Sequence, residues 1–324
     1  MSPHGPPASH EIPINDLDEP LFDGAGATKR DLVDYLEAVG DRIVSVVSGR
    51  PLSVIRVRAG QRPFMQKNLP DYAPPWIRTV TMWAESSHRE VRYALCEDKP
   101  TLIWFANQRA VEYHVTLGTA EHLDRPSYLV LDIDPPTAGE FGRAVAAAKL
   151  VREALSGAGL AGAVKTSGAK GVHIYVPVRE SVSADDAAAA TRALAERAAR
   201  LDPGLATTAF IRADRGGMVF IDSTRAHGAT VVAPYSPRAR PGVPVSFPVA
   251  WDSLDEVSPE DFTVRNAAGL LAGADPWAVA LPSPQALPED LVAEGHAIPV
   301  ARVQAMHEGK RRARARRGPP HADG

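Results

Sequence analysis

The sequence has little cysteine and no long apolar run. Cys96 is the single cysteine among 324 residues, which excludes an intramolecular disulfide and a zinc site built on several thiolates. No segment reaches the roughly 18 to 20 consecutive apolar residues of a membrane-spanning helix, and residues 1–10 lack the basic start and apolar stretch of a secretory signal. These absences predict a cytoplasmic protein that would hold any metal ion through oxygen and imidazole ligands.

The chain also lacks a net positive charge. The formal net charge is −3, which argues against a protein that is basic all over. Residues 310–317 (Lys-Arg-Arg-Ala-Arg-Ala-Arg-Arg) nevertheless concentrate six positive charges, so a basic arm follows an acidic body. Such an arm can attract a phosphate backbone, but it can equally be a solvated tail. The charge pattern leaves both interpretations open.

The chain divides into four parts by composition and pattern. We predict a disordered leader at 1–11, a mixed α/β lobe at 12–125, a catalytic core at 126–290 packed with that lobe as one unit, and a C-terminal helix with the basic tail at 291–324. In the lobe, the pattern predicts a helix over 28–39, capped by Thr28 and ended by Gly40, and short strands at 52–57, 80–84, 91–95 and 101–105.

The core alternates between strands and helices. Strands are predicted at 128–133, 163–166, 172–178 and 218–221, and alanine-rich helices at 139–158 and 183–201. Strand, helix, hairpin, helix and strand in this order predict a split α/β layer that resembles an RNA-recognition-type sheet. The predicted fold class is therefore α/β (α+β), with a split β-α-β core and a smaller N-terminal lobe.

Two aspartates share one face of the first core strand. Asp132 and Asp134, in Leu-Asp-Ile-Asp-Pro-Pro, are two residues apart, so both side chains point the same way. Two carboxylates on a buried strand repel each other unless a cation neutralises them, and Mg²⁺ and Mn²⁺ prefer such oxygen ligands. The pattern suits two metal ions that clamp the oxygens of a transferring phosphate. The alternative is a strand end that reaches solvent, where two aspartates cost nothing.

A second strand also ends in a carboxylate, and a basic loop lies between the two strands. Asp222 follows Met-Val-Phe-Ile, and if the strands adjoin, three carboxylates converge. In the loop, Ser167 can donate a hydrogen bond, Lys170 can supply a point charge, and His173 can reach the same anion. The loop lacks the Gly-Lys-Ser/Thr ending of a Walker sequence. A plain glycine hairpin with a solvated lysine is the alternative.

Further cations and aromatics lie in separate segments. Arg225 follows Asp222 closely, and Arg238 offers another bidentate phosphate donor. His114 alternates on a strand and is either a ligand or a core histidine. Phe64 with Lys67 pairs an aromatic and a cation, as a base-stacking platform would, although simple packing is the alternative.

Three motifs in order carry a family resemblance. Leu-Asp-Ile-Asp-Pro-Pro, Thr-Ser-Gly-Ala-Lys-Gly-Val-His and Val-Phe-Ile-Asp resemble the motifs of the archaeo-eukaryotic primase superfamily, most closely the polymerase domain of bacterial ligase D, over about residues 14–285. The resemblance implies a template-dependent polymerase or primase that uses two Mn²⁺ or Mg²⁺ ions and no zinc. It further implies nucleoside triphosphate substrates, ribonucleotides favoured, and a role in double-strand-break end joining or short-gap repair at the nucleoid.

The same resemblance assigns roles to single residues. The expected catalytic metal ligands are Asp132, Asp134 and Asp222; the expected nucleotide contacts are His114, Ser167, Lys170, His173, Arg225 and Arg238; the expected DNA contacts are Lys29, Arg56, Phe64 and Lys67. Because no ligase lysine motif is visible, we expect a stand-alone polymerase that works with a separate ATP-dependent ligase and an end-binding protein.

The sequence departs from the family pattern in the N-terminal lobe. Asp16 and Glu19 stand where relatives that grip a downstream 5′-phosphate have an asparagine and a lysine, and a carboxylate repels phosphate. Met65 replaces the second template-stacking aromatic, and Ile55 stands where a lysine is usual. The alternative function is a non-catalytic DNA-end-binding module that recruits a ligase. A phosphoesterase is a third possibility, although no water-activating partner is recognisable.

Overall fold

The computed structural model describes residues 12–84 and 88–299. The predicted leader and the basic arm at 310–317 lie outside these residues. The helices are α1 (Lys29–Val47), α2 (Lys99–Asn107), α3 (Phe141–Gly157), α4 (Ala184–Leu201), α5 (Ala267–Leu271), α6 (Pro276–Ala280) and α7 (Glu289–Ala297). The strands are β1 (Pro51–Arg56), β2 (Phe64–Gln66), β3 (Thr79–Ala84), β4 (Arg89–Leu95), β5 (Ala110–Thr116), β6 (Tyr128–Asp134), β7 (Ala163–Thr166), β8 (Val172–Pro177), β9 (Ala206–Thr207), β10 (Val219–Asp222), β11 (Thr230–Val232) and β12 (Pro248–Val249). Of the helices described, none is both long and apolar enough to cross a membrane.

The first sheet combines the N-terminal strands with one later strand. Its order is β11-β5-β1-β4-β3, with β2 paired to β1, and α1 packs against α2 beside it. β11 lies antiparallel to β5, with Val232 opposite His114. The division of the chain near 126 remains a prediction, and this sheet takes a strand from beyond it.

The second sheet has the order β12-β7-β8-β6-β10-β9. The pairings among β7, β8, β6 and β10 are antiparallel, with α3 between β6 and β7 and α4 between β8 and β10. This is the split β-α-β order of an RNA-recognition-type sheet, so the predicted fold class is confirmed. Helices α3 and α4 pack together and contact β6. Strand alternation then places Leu131 and Ile133 on the helix side and Asp132 and Asp134 on the opposite face.

One prediction of secondary structure is wrong. The run 101–105, predicted to be a strand, belongs to α2, in which residues 101–106 are all buried. Asp98 caps this helix by accepting a hydrogen bond from the backbone N–H of Thr101 at 2.8 Å, and Pro100 occupies the first turn, where its missing N–H is harmless. A continuous apolar run fits a buried helix as well as a buried strand, and the cap decides between them.

Helix α1 begins at the predicted cap, Thr28, but does not end at Gly40. It continues to Val47. Gly40 lies inside the helix, at its contact with α2, and not at a C-terminal cap. A Cβ atom there would lie 3.0 Å from Cε of Lys99 and 3.4 Å from Cδ2 of Leu102. The missing side chain therefore lets α1 and α2 approach closely.

Candidate active site

Four polar side chains form a row across the second sheet. The register pairs Asp222 with Asp132 and Asp132 with His173. It also pairs His173 with Lys165. Residues in direct cross-strand register have Cβ atoms about 4.5–5.5 Å apart, and all four are buried. The register therefore brings the separately predicted Asp132, Asp222 and His173 together on the face opposite α3 and α4.

His173 connects the carboxylate end of this row to the lysine end. Its Nε2 lies 3.2 Å from Oδ1 of Asp132, and its Nδ1 lies 2.8 Å from Nζ of Lys165. Burial and the charge of Lys165 lower the pKa of His173 to about 4, so its imidazole is neutral at neutral pH. Burial alone would raise the pKa of Asp132, but the contacts with His173 and Arg225 outweigh burial and lower it.

Asp134 completes the carboxylate cluster. It lies two residues beyond Asp132 on the same strand, with its side chain about one-third exposed, and its Oδ1 is 3.6 Å from Nζ of Lys170. Burial and the neighbouring Asp132 raise the pKa of Asp134. A raised pKa means that the local positive charge does not fully offset the repulsion between the two carboxylates.

Arg225 bridges two carboxylates of the cluster. Its Nη2 lies 2.7 Å from Oδ2 of Asp132 and 2.9 Å from Oδ2 of Asp222, while its Nε is buried without a hydrogen-bond partner. Asp222 is oriented further by Thr224, whose backbone N–H and hydroxyl donate to Oδ1 at 2.8 and 2.6 Å. The guanidinium supplies positive charge that this buried pair requires.

The chemistry of the donor set fits divalent cations. Asp132, Asp134 and Asp222 offer only carboxylate oxygens, which Mg²⁺ and Mn²⁺ prefer, and both ions take phosphate oxygens at their remaining positions. Within the described ranges, no three side chains of the ligating types already stand as a metal-binding group, and Arg225 holds oxygens of Asp132 and Asp222. The donor types of the three aspartates therefore fit a divalent cation, and in this structure Arg225 provides the positive charge beside two of them.

The loop between β7 and β8 lies beside the carboxylates. Oγ of Ser167 accepts hydrogen bonds from the backbone N–H groups of Ala169 and Gly171 at 3.2 and 3.0 Å, so its own O–H remains a donor. Lys170 donates from Nζ to the carbonyl oxygen of Pro135 at 2.8 Å, directly after the strand that carries the aspartates. Lys170 therefore reaches the carboxylate cluster, 3.6 Å from Oδ1 of Asp134, while Ser167 is buried at the start of the same loop.

A second polar cluster adjoins this loop. Arg238 donates from Nη1 to the carbonyl oxygen of Ser167, and its Nε lies 3.1 Å from Oε2 of Glu112 without hydrogen-bonding geometry. Glu112 also accepts from the backbone N–H of Ala239 at 2.9 Å and lies 2.8 Å from Nε2 of His114. Burial would raise the pKa of Glu112, but these partners lower it to about 2. His114 and Arg238 thus share one carboxylate.

Lys29 is the most enclosed of the four predicted DNA contacts. It is only 2% exposed, and its Nζ donates to the carbonyl oxygen of Asn15 at 2.7 Å, to Oδ1 of Asn15 at 3.2 Å and to Oδ1 of Asn107 at 2.6 Å. These contacts use all three donors of an ammonium group. Glu19 pairs with Arg109 at 2.5 Å. A DNA contact through Lys29 remains a prediction, and it would require displacement of these partners.

The other three predicted DNA contacts lie together on the hairpin of β1 and β2. Phe64 is 38% exposed, and the guanidinium of Arg56 lies 5.8 Å from its ring centroid. Arg56 is held by Gln108, whose carbonyl oxygen accepts from Nε at 2.7 Å. Lys67 follows β2 and is exposed. An exposed ring beside a fixed cation suits a stacked base.

Sequence reasoning missed three residues of the site. Lys165 was detectable, because a charged residue inside the otherwise short apolar strand 163–166 is unusual. Glu112 was also detectable, because it lies two residues before His114 and shares its strand face. Ser246, whose hydroxyl contacts Lys165, carries no local signal.

Carboxylates on the face of an RNA-recognition-type sheet that lies opposite its two helices, beside a loop that carries a lysine, define the primase-polymerase class. A family profile described as "LigD, primase-polymerase domain" matches residues 28–277, and the chain belongs to this family. It is therefore an enzyme of the nucleotidyltransferase type, and the predicted recognition is confirmed.

Individual relatives agree with this assignment. The "Bifunctional non-homologous end joining protein LigD" of Bacillus subtilis is 32% identical over 266 residues, which cover 81% of this chain and 42% of the relative. The "Multifunctional non-homologous end joining DNA repair protein LigD" of Mycobacterium tuberculosis H37Rv is 32% identical over 265 residues, 78% of this chain and 34% of the relative. The chain thus spans less than half the length of these relatives. A solved structure, "Polymerase Domain from Mycobacterium tuberculosis Ligase D in complex with DNA", aligns with a TM-score of 0.73 at 28% identity and covers 82% of this chain and 95% of that one.

Proposed function

We propose that this protein extends the 3′ ends of DNA primers on a template during double-strand-break end joining or short-gap repair. The observation that carries the proposal is the convergence of Asp132, Asp134 and Asp222 beside the basic loop. The proposal includes a preference for ribonucleotides, a location at the nucleoid, and cooperation with a separate ATP-dependent ligase and an end-binding protein. These finer points are supported by the family to which the chain belongs.

The chain's own residues would hold the triphosphate. Two Mn²⁺ or Mg²⁺ ions on the three aspartates would lower the pKa of the primer 3′-hydroxyl and offset charge on the leaving pyrophosphate. Lys170 would place a point charge at the phosphates, Ser167 would donate its O–H, and His173 would donate from the nitrogen that faces Asp132. Arg225 and Arg238 would present guanidinium donors.

The unpartnered nitrogen of Arg225 supports this arrangement. Its Nε is buried without a hydrogen bond, and a buried donor left unpaired costs about 1–3 kcal/mol. A triphosphate oxygen at this nitrogen would remove that cost. We therefore expect nucleotide binding to draw Arg225 away from Asp132 and Asp222, which frees their oxygens.

Replacement of the carboxylates tests the proposal. Asp132→Asn with Asp134→Asn keeps side-chain volume but removes the charges that would hold the ions, so primer extension should fall by at least about a thousandfold in Mn²⁺ or Mg²⁺. Asp252→Asn with Asp255→Asn is the matched control, because these exposed aspartates pair with Arg152 and Lys149 outside the site. Near-normal extension by the first variant would end the proposal, and DNA-end binding by the wild type without any extension would favour the recruiting module.

Substrate choice requires a separate assay. Gapped and overhanging primer–templates supplied with ribonucleoside or deoxyribonucleoside triphosphates report sugar preference directly. We expect a higher kcat/KM with ribonucleotides. Equal values for both sugars would leave the polymerase assignment intact and remove the ribonucleotide preference.

A further inference from the structure

Lys165 is a buried lysine that is not paired with a carboxylate. It is 0% exposed, although lysine is almost never fully buried unless it is paired with an opposite charge. Among residues 12–84 and 88–299, it forms no ion pair with an aspartate or glutamate. Burial and the charge of Arg238 lower the pKa of Lys165, and its N–H groups face neutral acceptors in a specific arrangement.

Three acceptors surround the ammonium group. Nδ1 of His173 lies 2.8 Å from Nζ, Oγ of Ser246 contacts it, and the ring centroid of Tyr175 lies 5.7 Å away. Oγ of Ser246 donates its own proton to the carbonyl oxygen of Thr166 at 2.9 Å, so towards Lys165 it can only accept. The N–H groups of Lys165 therefore point to two lone-pair acceptors, on His173 and Ser246, and to the face of the Tyr175 ring.

This arrangement selects one tautomer of His173. If Nδ1 accepts from Lys165, the ring proton must be on Nε2. Nε2 lies 3.2 Å from Oδ1 of Asp132, and a carboxylate is favourable there only opposite an N–H. The contacts at both ring nitrogens therefore favour the same tautomer, with the proton on Nε2. The conclusion holds whether Lys165 carries two or three protons, because Asp132 favours the proton on Nε2 in both cases and either form of the lysine can donate to the bare Nδ1.

We propose that Lys165 is a positioning residue that fixes His173 as the Nε2–H tautomer and aims this N–H at the carboxylate and phosphate side of the site. The inference rests on the proposed function, in which His173 contacts the triphosphate. Partners that orient a functional imidazole through its other nitrogen typically change affinity or activity by about 10- to 100-fold when they are replaced. Lys165 itself touches neither the predicted ligands of the metal ions nor solvent.

Nitrogen NMR of the full-length, ¹⁵N-histidine-labelled protein tests the tautomer without any activity assay. At neutral pH, long-range proton–nitrogen spectra distinguish a protonated from an unprotonated ring nitrogen, and the His173→Gln spectrum identifies the signals. We expect wild type to show Nε2 protonated and Nδ1 bare. A wild-type spectrum with Nδ1 protonated would overturn the proposal.

Variants separate Lys165 from its neighbours. Lys165→Met removes the donor to Nδ1, while Asp132 still favours the proton on Nε2. The tautomer should therefore persist, the Nδ1 shift should move to that of a bare nitrogen without a hydrogen bond, and KM for the nucleotide should rise about tenfold with a smaller change in kcat. Ser246→Ala disturbs the same buried cluster but keeps the lysine, so the tautomer should be unchanged. Lys149→Met, an exposed lysine on α3, is the control for loss of a lysine.

Asp132→Ala makes the test independent of whether Lys165→Met folds. An ammonium group has no lone pair that could accept from Nδ1–H, so Lys165 should keep His173 Nε2-protonated when the carboxylate is absent. A mixed tautomer in Asp132→Ala, or an unchanged Nδ1 shift and KM in Lys165→Met, would contradict the proposal. An inactive wild-type protein with the expected spectrum would instead count against the proposed function alone.

Discussion

Replacing Glu112 by glutamine should destabilise the protein by an amount that depends on pH. The pKa of Glu112 falls from an ordinary value of 4.5 to about 2, because His114, Arg238 and the backbone N–H of Ala239 outweigh its burial. At about 1.4 kcal/mol per pH unit, that difference corresponds to about 3 kcal/mol of stability from the ionised form. Glu112 is only 7% exposed, so solvent screening reduces this figure little.

The sign of the pH dependence follows from the lowered pKa. A carboxyl group whose pKa is lower in the folded protein contributes fully above its unfolded-state pKa, and the contribution is lost as the pH falls from about 4.5 towards about 2. The difference in unfolding free energy between wild type and Glu112→Gln should therefore be about 2–3 kcal/mol at pH 7 and should shrink progressively below about pH 4.5. Glutamine also leaves the charge of Arg238 buried without compensation.

Urea denaturation from pH 7 to pH 3 measures this difference. Glu153→Gln, an exposed position on α3, is the control, and it should change stability by less than about 0.5 kcal/mol throughout. A difference for Glu112→Gln that is constant with pH would show that its ionisation is not coupled to folding. A value near zero at pH 7 would mean that the Glu112, His114 and Arg238 contacts do not hold the two sheets together.

Three further predictions concern separate parts of the molecule. Asp98→Ala removes the cap of α2 and should cost about 1 kcal/mol in urea denaturation, whereas no change would mean that the cap is not what selects helix over strand. Arg225→Lys loses the second donor arm and should lower kcat/KM for the nucleotide by about a hundredfold without loss of fold; full activity would refute its role as a phosphate donor. Because Glu19 pairs with Arg109 and the donors of Lys29 are already used, a downstream 5′-phosphate should leave KM for gapped DNA unchanged, and a marked preference for phosphorylated gaps would contradict this.

The sequence alone was sufficient to predict four of the six strands of the second sheet and most of the residues that the structure brings together in the candidate site. The two-residue spacing places Asp132 and Asp134 on one strand face, and the order of strands and helices predicts the split sheet. The pairing of Asp222 with Asp132 was a conditional prediction, since it required the strands to adjoin. The structure shows that β6 and β10 do adjoin, with Asp222 opposite Asp132.

What could not be predicted depends on contacts between distant residues. Ser246 meets Lys165 across 81 positions, and β11 joins β5 from the far side of the predicted boundary. Neither contact leaves a local pattern, because each is determined by packing of the whole chain. The helix at α2 was missed for a different reason. Complete burial removes the periodicity that separates a helix from a strand.

The contacts between the two sheets bear on whether the lobe could fold separately. Glu112 lies in β5 of the first sheet, its partner Arg238 follows β11, and Arg238 reaches the carbonyl oxygen of Ser167 in the loop of the second sheet. A fragment that ends at residue 125 would therefore leave Glu112 buried without Arg238, a loss that typically costs about 3–5 kcal/mol for a buried pair, and β5 without its neighbour β11. Such a loss is large compared with the small net free energy of unfolding of a unit of this size. We therefore expect the lobe and the core to fold together, with the nucleotide site formed only when both are present.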